Sequence, residues 1–314
     1  MNIVRSIALG VGLVMAAVFF LNMRPSTTRP TAPQARPGPP SLPAGAGAAS
    51  GVHALPKPQL DAIPPRLVVV LGQEDGVSFN ARYAALKQLQ PPLAGDEVQA
   101  LYAQLYRHRG EDPLPEDDLH AFKNEVANAL LRQQPLLEEL PRHLLQQYAD
   151  ERQGEVWRDY CLQHLGALYQ RADLTVRRAI ANLLWKATGQ KDGTHAGTAL
   201  LALERNVRQA EIPRERLAAR ALSIAQDEAY APEPRATALQ VCVLLDERRA
   251  LPPTRRLAQA ETPTILRVSA LGALGRLGDA ADLALLAPLA RDPDMRLRQA
   301  AEAACRRLSA PDGL

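Results

Sequence analysis

The sequence predicts an all-α protein: an α–α superhelix behind an N-terminal transmembrane helix and a disordered proline-rich linker. Three observations carry that prediction. Apolar residues recur at helical spacing through most of the chain beyond residue 78. Helix start and stop signals alternate with those stripes at short intervals. The pattern Leu-Arg-x-x-Ala stands twice, as Leu266-Arg267-Val268-Ser269-Ala270 and, thirty-one positions later, as Leu297-Arg298-Gln299-Ala300-Ala301. A fixed period signals a repeat architecture, and that outranks any single-residue clue.

Of the 314 residues, 46% are hydrophobic and 23% charged, the mixture of a folded body long enough to bury a core. Residues 1–24 depart from it. Ile7 to Leu21 carries no charge, and with Ile3 to Met23 counted the run approaches the roughly 20 residues that cross a bilayer. Asn22, Met23, Arg24 and Pro25 follow it, which offers no small-residue cleavage site, and Ala46-Gly47-Ala48 lies too far downstream. The expectation is a single-pass signal-anchor that meets the membrane through residues 3–23, with the folded part outside the cytoplasm. A cleaved signal and a secreted or periplasmic chain is the alternative. Residues 25–66, rich in Pro, Gly, Ala and Ser, lack the aromatic and branched residues that would repay ordering, and read as a tether.

Residues 67–314 are expected to hold the superhelix. "RLVVVLG", Arg66 to Gly72, is too isolated to build a sheet and reads as a first capping helix or a lone extended piece. Val98, Leu101, Tyr102, Leu105 and Tyr106 form one apolar stripe; Leu119, Phe122, Val126, Ala129 and Leu130 form another. Start signals stand at Asp96 with Gln99 as a capping box, at Asp173, and at Thr262-Pro263 and Asp292-Pro293 as N-cap plus first-turn proline. Gly278-Asp279 joins a stop to a start, and Gly189 to Thr198 is a loop with Thr194 as cap. About a dozen antiparallel helices of roughly 10–17 residues result.

Charge bears on partners. Residues 1–66 carry net +5, which leaves −2 for the rest, so the folded part is not basic. That argues against nucleic acid, whose binding faces gather Lys and Arg and exclude acids. Residues 248–308 nevertheless hold eleven Arg against six acids, a bias that would steer an acidic protein partner to the C-terminal half. Arg255, Arg256, Arg306 and Arg307 are the residues assigned to such a partner.

In each Leu-Arg-x-x-Ala copy the leucine and alanine share a helix face, and alanine allows close approach of a neighbouring helix. The arginine stands one position off that face. Asp294 lies four positions before Arg298, as Asp173 does before Arg177, an ion-pair spacing. Between the two arginines lie a helix end, a Gly-Asp turn, a second helix and an Asp-Pro restart, which is one helical hairpin per period. These residues resemble HEAT-like repeats, in their short phycobilisome-lyase-type form. The resemblance is specific over Thr262 to Leu308, through Pro263, Arg267, Ala270, Leu274-Gly275, Leu277-Gly278-Asp279, Leu286, Leu289, Asp292-Pro293-Asp294 and Arg298. Asp173 to Leu184 and Pro234 to Leu245 read as degenerate copies, and residues 78–170 keep only the hairpin rhythm. That region is similar to the N-terminal part of bacterial HEAT-repeat proteins. The resemblance implies an armadillo-type superhelix and no activity; together with the N-terminal anchor, the expected location is a bacterial inner membrane.

Sites of chemistry are sparse. Cys161 and His164 lie at i and i+3 with Trp157, Tyr160 and Leu168 on the same broad face, and no further ligand follows at metal spacing. An aromatic core seam with a satisfied histidine is the expectation. Iron-binding HEAT-repeat enzymes carry His-Glu dipeptides, and no histidine here precedes a glutamate. Ser78, Ser223, Ser269 and Ser309 stand in no nucleophile elbow, and Cys161, Cys242 and Cys305 read as small core residues. No catalytic, cofactor-binding or metal-ligating residue is assigned. The expected function is a non-catalytic, membrane-tethered scaffold that binds a protein. A nucleic-acid-binding superhelix similar to DNA-alkylation-repeat proteins, or an accessory subunit of a chromophore-lyase-type complex, are the alternatives.

Overall fold

The computed structural model describes residues 55–58, 62–72, 76–209 and 211–310, all within one compact unit that spans residues 52–314. The anticipated anchor at 1–24 lies outside the described residues, as does most of the linker. Among the described residues there is no strand, and no helix is long and apolar enough to cross a membrane. The described unit is all-helical.

Among the described residues, thirteen α-helices follow one another: α1 (Phe79–Gln88), α2 (Gly95–Leu105), α3 (Glu116–Leu131), α4 (Leu140–Ala149), α5 (Glu155–Leu168), α6 (Leu174–Ala187), α7 (His195–Arg205), α8 (Arg214–Gln226), α9 (Pro232–Leu244), α10 (Leu251–Gln259), α11 (Thr264–Leu277), α12 (Leu283–Leu289) and α13 (Met295–Ser309). The run at 66–72 is a 3-10 turn, Pro65–Leu67, continued by further turns; Leu67, Val70 and Leu71 are buried and the turn packs on α2. It therefore covers the N-terminal end of the stack as a cap.

The helices form two rows. In the first, α1, α3, α5, α7, α9, α11 and α13 each pack on the next. In the second, α2, α4, α6, α8, α10 and α12 each pack against the first-row helix that follows them in sequence. Beyond α1, every unit is thus a hairpin of one second-row and one first-row helix. The first-row starts run Glu116, Glu155, His195, Pro232, Thr264, Met295. Successive starts lie thirty-nine, forty, thirty-seven, thirty-two and thirty-one positions apart. The short period read from the C-terminus gives way to a long one upstream. Side chains keep the long register: His164 to Asn124, His195 to the Glu155 carbonyl and Asn206 to the Gly166 carbonyl each bridge forty positions.

Pro234 to Leu245 falls on α9, in the same row as the two Leu-Arg-x-x-Ala helices α11 and α13. Asp173 to Leu184 falls instead on α6 in the second row; α7 holds the equivalent place, so that reading is corrected. A cap signal misled it, because Asp173 does cap α6 by accepting the Val176 N–H at 2.9 Å. Leu266, Ala270, Leu297 and Ala301 are buried as expected. Small residues let the first-row helices meet: a Cβ on Gly275 of α11 would stand 2.8 Å from the Ala304 Cα of α13, and one on Gly166 of α5 would stand 2.6 Å from the Ala202 Cβ of α7.

Several caps lie a residue or two from their expected places. Ala94 caps α2, its N–H donated at 2.8 Å to Glu97, while Asp96 accepts the Glu97 N–H. Pro263 is the N-cap of α11, with no side-chain bond, and the hydroxyl of Thr262 is unpartnered. Asp294, rather than Asp292, caps α13 by accepting the Arg296 N–H at 2.9 Å. Thr194 is the N-cap residue of α7, yet its hydroxyl donates to Asp159 instead of closing the helix. Gly278 and Asp279 stop α11 and start the 3-10 turn Ala280–Asp282 as anticipated.

Candidate functional site

The repeated arginine has a physical role that its sequence spacing conceals. Arg158 on α5, Arg235 on α9 and Arg267 on α11 stand at the same place in their hairpins. Their Nε–H groups donate to the carbonyls of Tyr148, Ala225 and Ala258, at 2.9, 3.4 and 3.5 Å. Each acceptor is the penultimate residue of the preceding second-row helix, whose last carbonyls have no partner within their own helix. The arginine ties the end of one helix to the start of the next and places a cation at the negative helix end. Arg298 reaches the Asp292 carbonyl instead, at 2.9 Å, because α12 ends early. The expected Asp294–Arg298 and Asp173–Arg177 ion pairs do not form. Asp294 pairs with Arg296 at 3.0 Å, and Arg177 donates to the Ala172 carbonyl while lying over the Tyr169 ring. Arg267 also reaches the next hairpin, 3.5 Å from Asp292.

The four arginines assigned to a partner divide. Arg255 makes a two-point ion pair with the buried Asp282, at 2.6 and 3.0 Å, joining α10 to the start of α12. Arg256, one position on, is exposed and meets no carboxylate among the described residues. Arg306 is exposed and only loosely paired, 3.9 Å from Glu302. The Arg307 guanidinium is held below its usual value by burial and by the neighbouring charges of Arg276 and Arg306. The structure therefore brings Arg306 and Arg307 together with Arg276 and leaves Arg255 to packing.

A different basic region was not anticipated. The ends of α5, α7 and α9 and the start of α8 enclose an open cleft of about 610 Å³, lined by Gln170, Glu204, Arg205, Arg208, Arg214 and Leu245 among others. Arg214 donates to the Leu245 carbonyl and is fixed there. Arg205 and Arg208 are exposed, and their side chains make no hydrogen bond or ion pair among the described residues. The signal in the sequence, "LERNVRQ", is indistinguishable from a basic helix end, which is why spacing alone passed over it.

Several strongly displaced titratable groups lie inside the stack, whereas Asp150, held well below the usual carboxylate range chiefly by Arg152, lies near the surface. Cys161 is fully buried, and burial pushes its thiol well up. Burial lowers His164 to about 4, and its ring nitrogen meets Asn124 at 2.9 Å, the satisfied core histidine that was expected. Cys242 is buried and Cys305 half-buried. Arg82, 1% exposed, donates to both carboxylate oxygens of Asp112, at 2.8 and 3.0 Å, and to the Val70 carbonyl, which sews the N-terminal turn to α1. Burial raises the Asp112 carboxyl, but the hydrogen bonds from Arg82 and Gln104 outweigh it and hold the group at about 2. Lys123, also 1% exposed, donates to Gln153 at 2.6 Å above the Trp157 ring, and burial lowers it to about 8. Among the described residues no group of three or more His, Cys, Asp or Glu side chains is placed to hold a metal ion. No protein-family model matches the chain, and no curated protein matches it.

Proposed function

We propose that the chain is a HEAT-like α-solenoid that serves as a non-catalytic scaffold or adaptor, tethered to a membrane through residues 3–23 and binding an acidic protein partner. The observation that carries this reading is the stacking of hairpins on their sequence neighbours, which leaves the outer faces of the second row available along the whole stack. The displaced titratable groups support it from the other side: Lys123, Cys161 and His164 are enclosed by core neighbours, so their shifts reflect burial and packing. The exposed arginines supply the chemistry for an acidic surface, Arg205 and Arg208 in the cleft and Arg256 and Arg306 further on.

Proximity labelling from the full-length chain in its own cells tests the reading. The Arg205→Glu/Arg208→Glu chain and the Arg256→Glu/Arg306→Glu chain should each accumulate normally, and at least one should lose the proteins labelled by the parent. A labelled set unchanged in both variants removes the arginines from the reading. Strongly salt-dependent, sub-micromolar binding of the full-length chain to duplex DNA would replace the protein partner by nucleic acid.

A further inference from the structure

A short stretch on the linker side of residue 66 is seated on the helices. Residues 55–58, Leu-Pro-Lys-Pro, have no regular secondary structure, with Leu55 and Pro58 half-buried and Pro56 and Lys57 exposed; a residue before proline favours the extended region. The Leu55 carbonyl accepts a hydrogen bond of 3.0 Å from Nε2 of Gln146 on α4, ninety-one positions away. Lys57 lies close enough to Glu111 to help the His108 N–H hold that carboxyl below its usual range. A few residues on, Ile63 packs on the core and Arg66 bonds Glu97 at 3.1 Å.

The hydrogen bonds behind Gln146 run in one direction only. A carbonyl accepts and never donates, so the Gln146 amide must turn its NH2 to Leu55 and its oxygen inward. That oxygen accepts the Tyr106 hydroxyl proton. Having given its only proton away, the Tyr106 oxygen must accept from His143 Nδ1, 2.8 Å distant. His143 thereby carries a proton on Nδ1, and burial, which lowers it to about 4 and lifts Tyr106 to about 12, leaves the ring neutral at pH 7. The ring is further held between Tyr102, at 4.0 Å, and Tyr106, edge-on at 5.7 Å. With the Leu55 carbonyl in place, Gln146, the Tyr106 hydroxyl and the His143 ring form one directed chain of hydrogen bonds that leads inward from the segment.

We propose that the surface where the end of α2 meets α4 is a seat for an extended proline-containing peptide of the Leu-Pro-Lys-Pro type, and that residues 55–58 fill it in cis. Gln146 reads the backbone carbonyl of the residue before the first proline. Proline suits the seat because its ring fixes an extended backbone and lowers the entropy lost on docking. The short connection to Ile63 gives the segment an effective concentration on the order of millimolar, so a weak seat stays filled. The inference is independent of any outside partner and holds whether or not the scaffold reading does.

The test is fluorescence anisotropy of the full chain labelled at Ala54→Cys, next to the seated residues, with Cys305→Ser to remove the half-exposed thiol. In the parent the dye should tumble with the folded body. Gln146→Glu keeps the shape but has no amide proton for Leu55, and should drop the anisotropy to that of a dye on a free tether. Tyr106→Phe, which keeps the ring and loses the orienting hydroxyl, should give a partial drop even if Gln146→Glu misfolds by circular dichroism. The free peptide Ala-Leu-Pro-Lys-Pro, added at millimolar concentration, should release the dye in the parent and leave the folded Gln146→Glu chain unchanged. A dye already free in the parent overturns the seat, as does anisotropy indifferent to both substitutions. Failure of the peptide to compete overturns its being a peptide site.

Discussion

Lys123 shows how a single buried group sets a pH window. Its folded value of about 8 lies below the ordinary 10.5, because burial disfavours the ammonium. Between those values the unfolded chain binds more protons than the folded one, so stability rises with pH across that interval; below pH 8 the full burial penalty is present. The gap between the two values corresponds to roughly 3 kcal/mol, only partly offset by the Gln153 bond at about 1 kcal/mol. Lys123→Met should therefore stabilise the protein by about 1–2 kcal/mol at pH 7, measured by urea unfolding. Between pH 8 and 10.5 the difference should move against methionine by roughly 3 kcal/mol, so that the advantage vanishes and then reverses. A difference independent of pH would mean that the lysine has the same pKa in the folded and the unfolded chain. The residue was legible in principle: Lys123 sits four after Leu119 and three before Val126, in the centre of an apolar stripe, where a cation is out of place. Arg82 and Asp112 were not, because nothing in sequence links two charges thirty positions apart until the helices bring them together.

At the scale of the element, the hairpins are closed by the recurrent arginine. The Nε–H to penultimate-carbonyl bond requires the guanidinium, whose fork places a donor partway along the side chain while its end stays free for other partners. Arg235, 8% exposed, is the most enclosed example, held where α8 packs on α9. Arg235→Lys keeps the charge and loses the fork, and should cost about 1–2 kcal/mol in thermal or urea unfolding, close to the cost of Arg235→Ala. If lysine were tolerated at no cost, the arginine would be acting through charge alone. Helix content and the buried face of each stripe were readable from the sequence, since helical periodicity reports burial directly. Cap positions were not, because Asp, Thr and Pro cluster tightly at Thr262-Pro263 and Asp292-Pro293-Asp294, and only backbone geometry decides which of them closes the turn. The arginine was legible as a repeated letter; its task was not, since the carbonyl it caps belongs to a helix with no sequence signature of its own.

At the scale of the whole described unit, stability is a sum over neighbouring hairpins. Each first-row helix meets chiefly the ones before and after it and its own hairpin partner, so opening can start at an end without breaking the middle. Native-state hydrogen exchange should therefore show graded protection, with α12 and α13 exchanging before α5, α7 and α9. A single opening rate shared by all helices would count against nearest-neighbour stacking. Helix α12 is the weakest member, short, interrupted by Pro288, and with Leu286 as its one buried side chain. The repeat itself was legible only where its period is short, between Pro232, Thr264 and Met295, because there the loops carry little beyond turn signals. Upstream, longer loops and a forty-position register dilute the pattern, and side-chain bridges such as Asn206 to Gly166 keep the spacing instead. Heredity acts on that change of period. Tandem copies lengthen or shorten when two strands recombine out of step, and the product folds only if the exchanged pieces are equal in length and begin at the same point of the hairpin. From α9 to α13 the units are interchangeable in this sense, so duplicating or losing one whole short period there returns every helix to its own row. An exchange between a short unit and a long one leaves each later helix about two turns out of place and cuts the bridges that span the longer distance. The bridges thus tie the hairpins from α3 to α7 to one spacing, and a whole short period added or removed between α9 and α13 would leave those bridges intact.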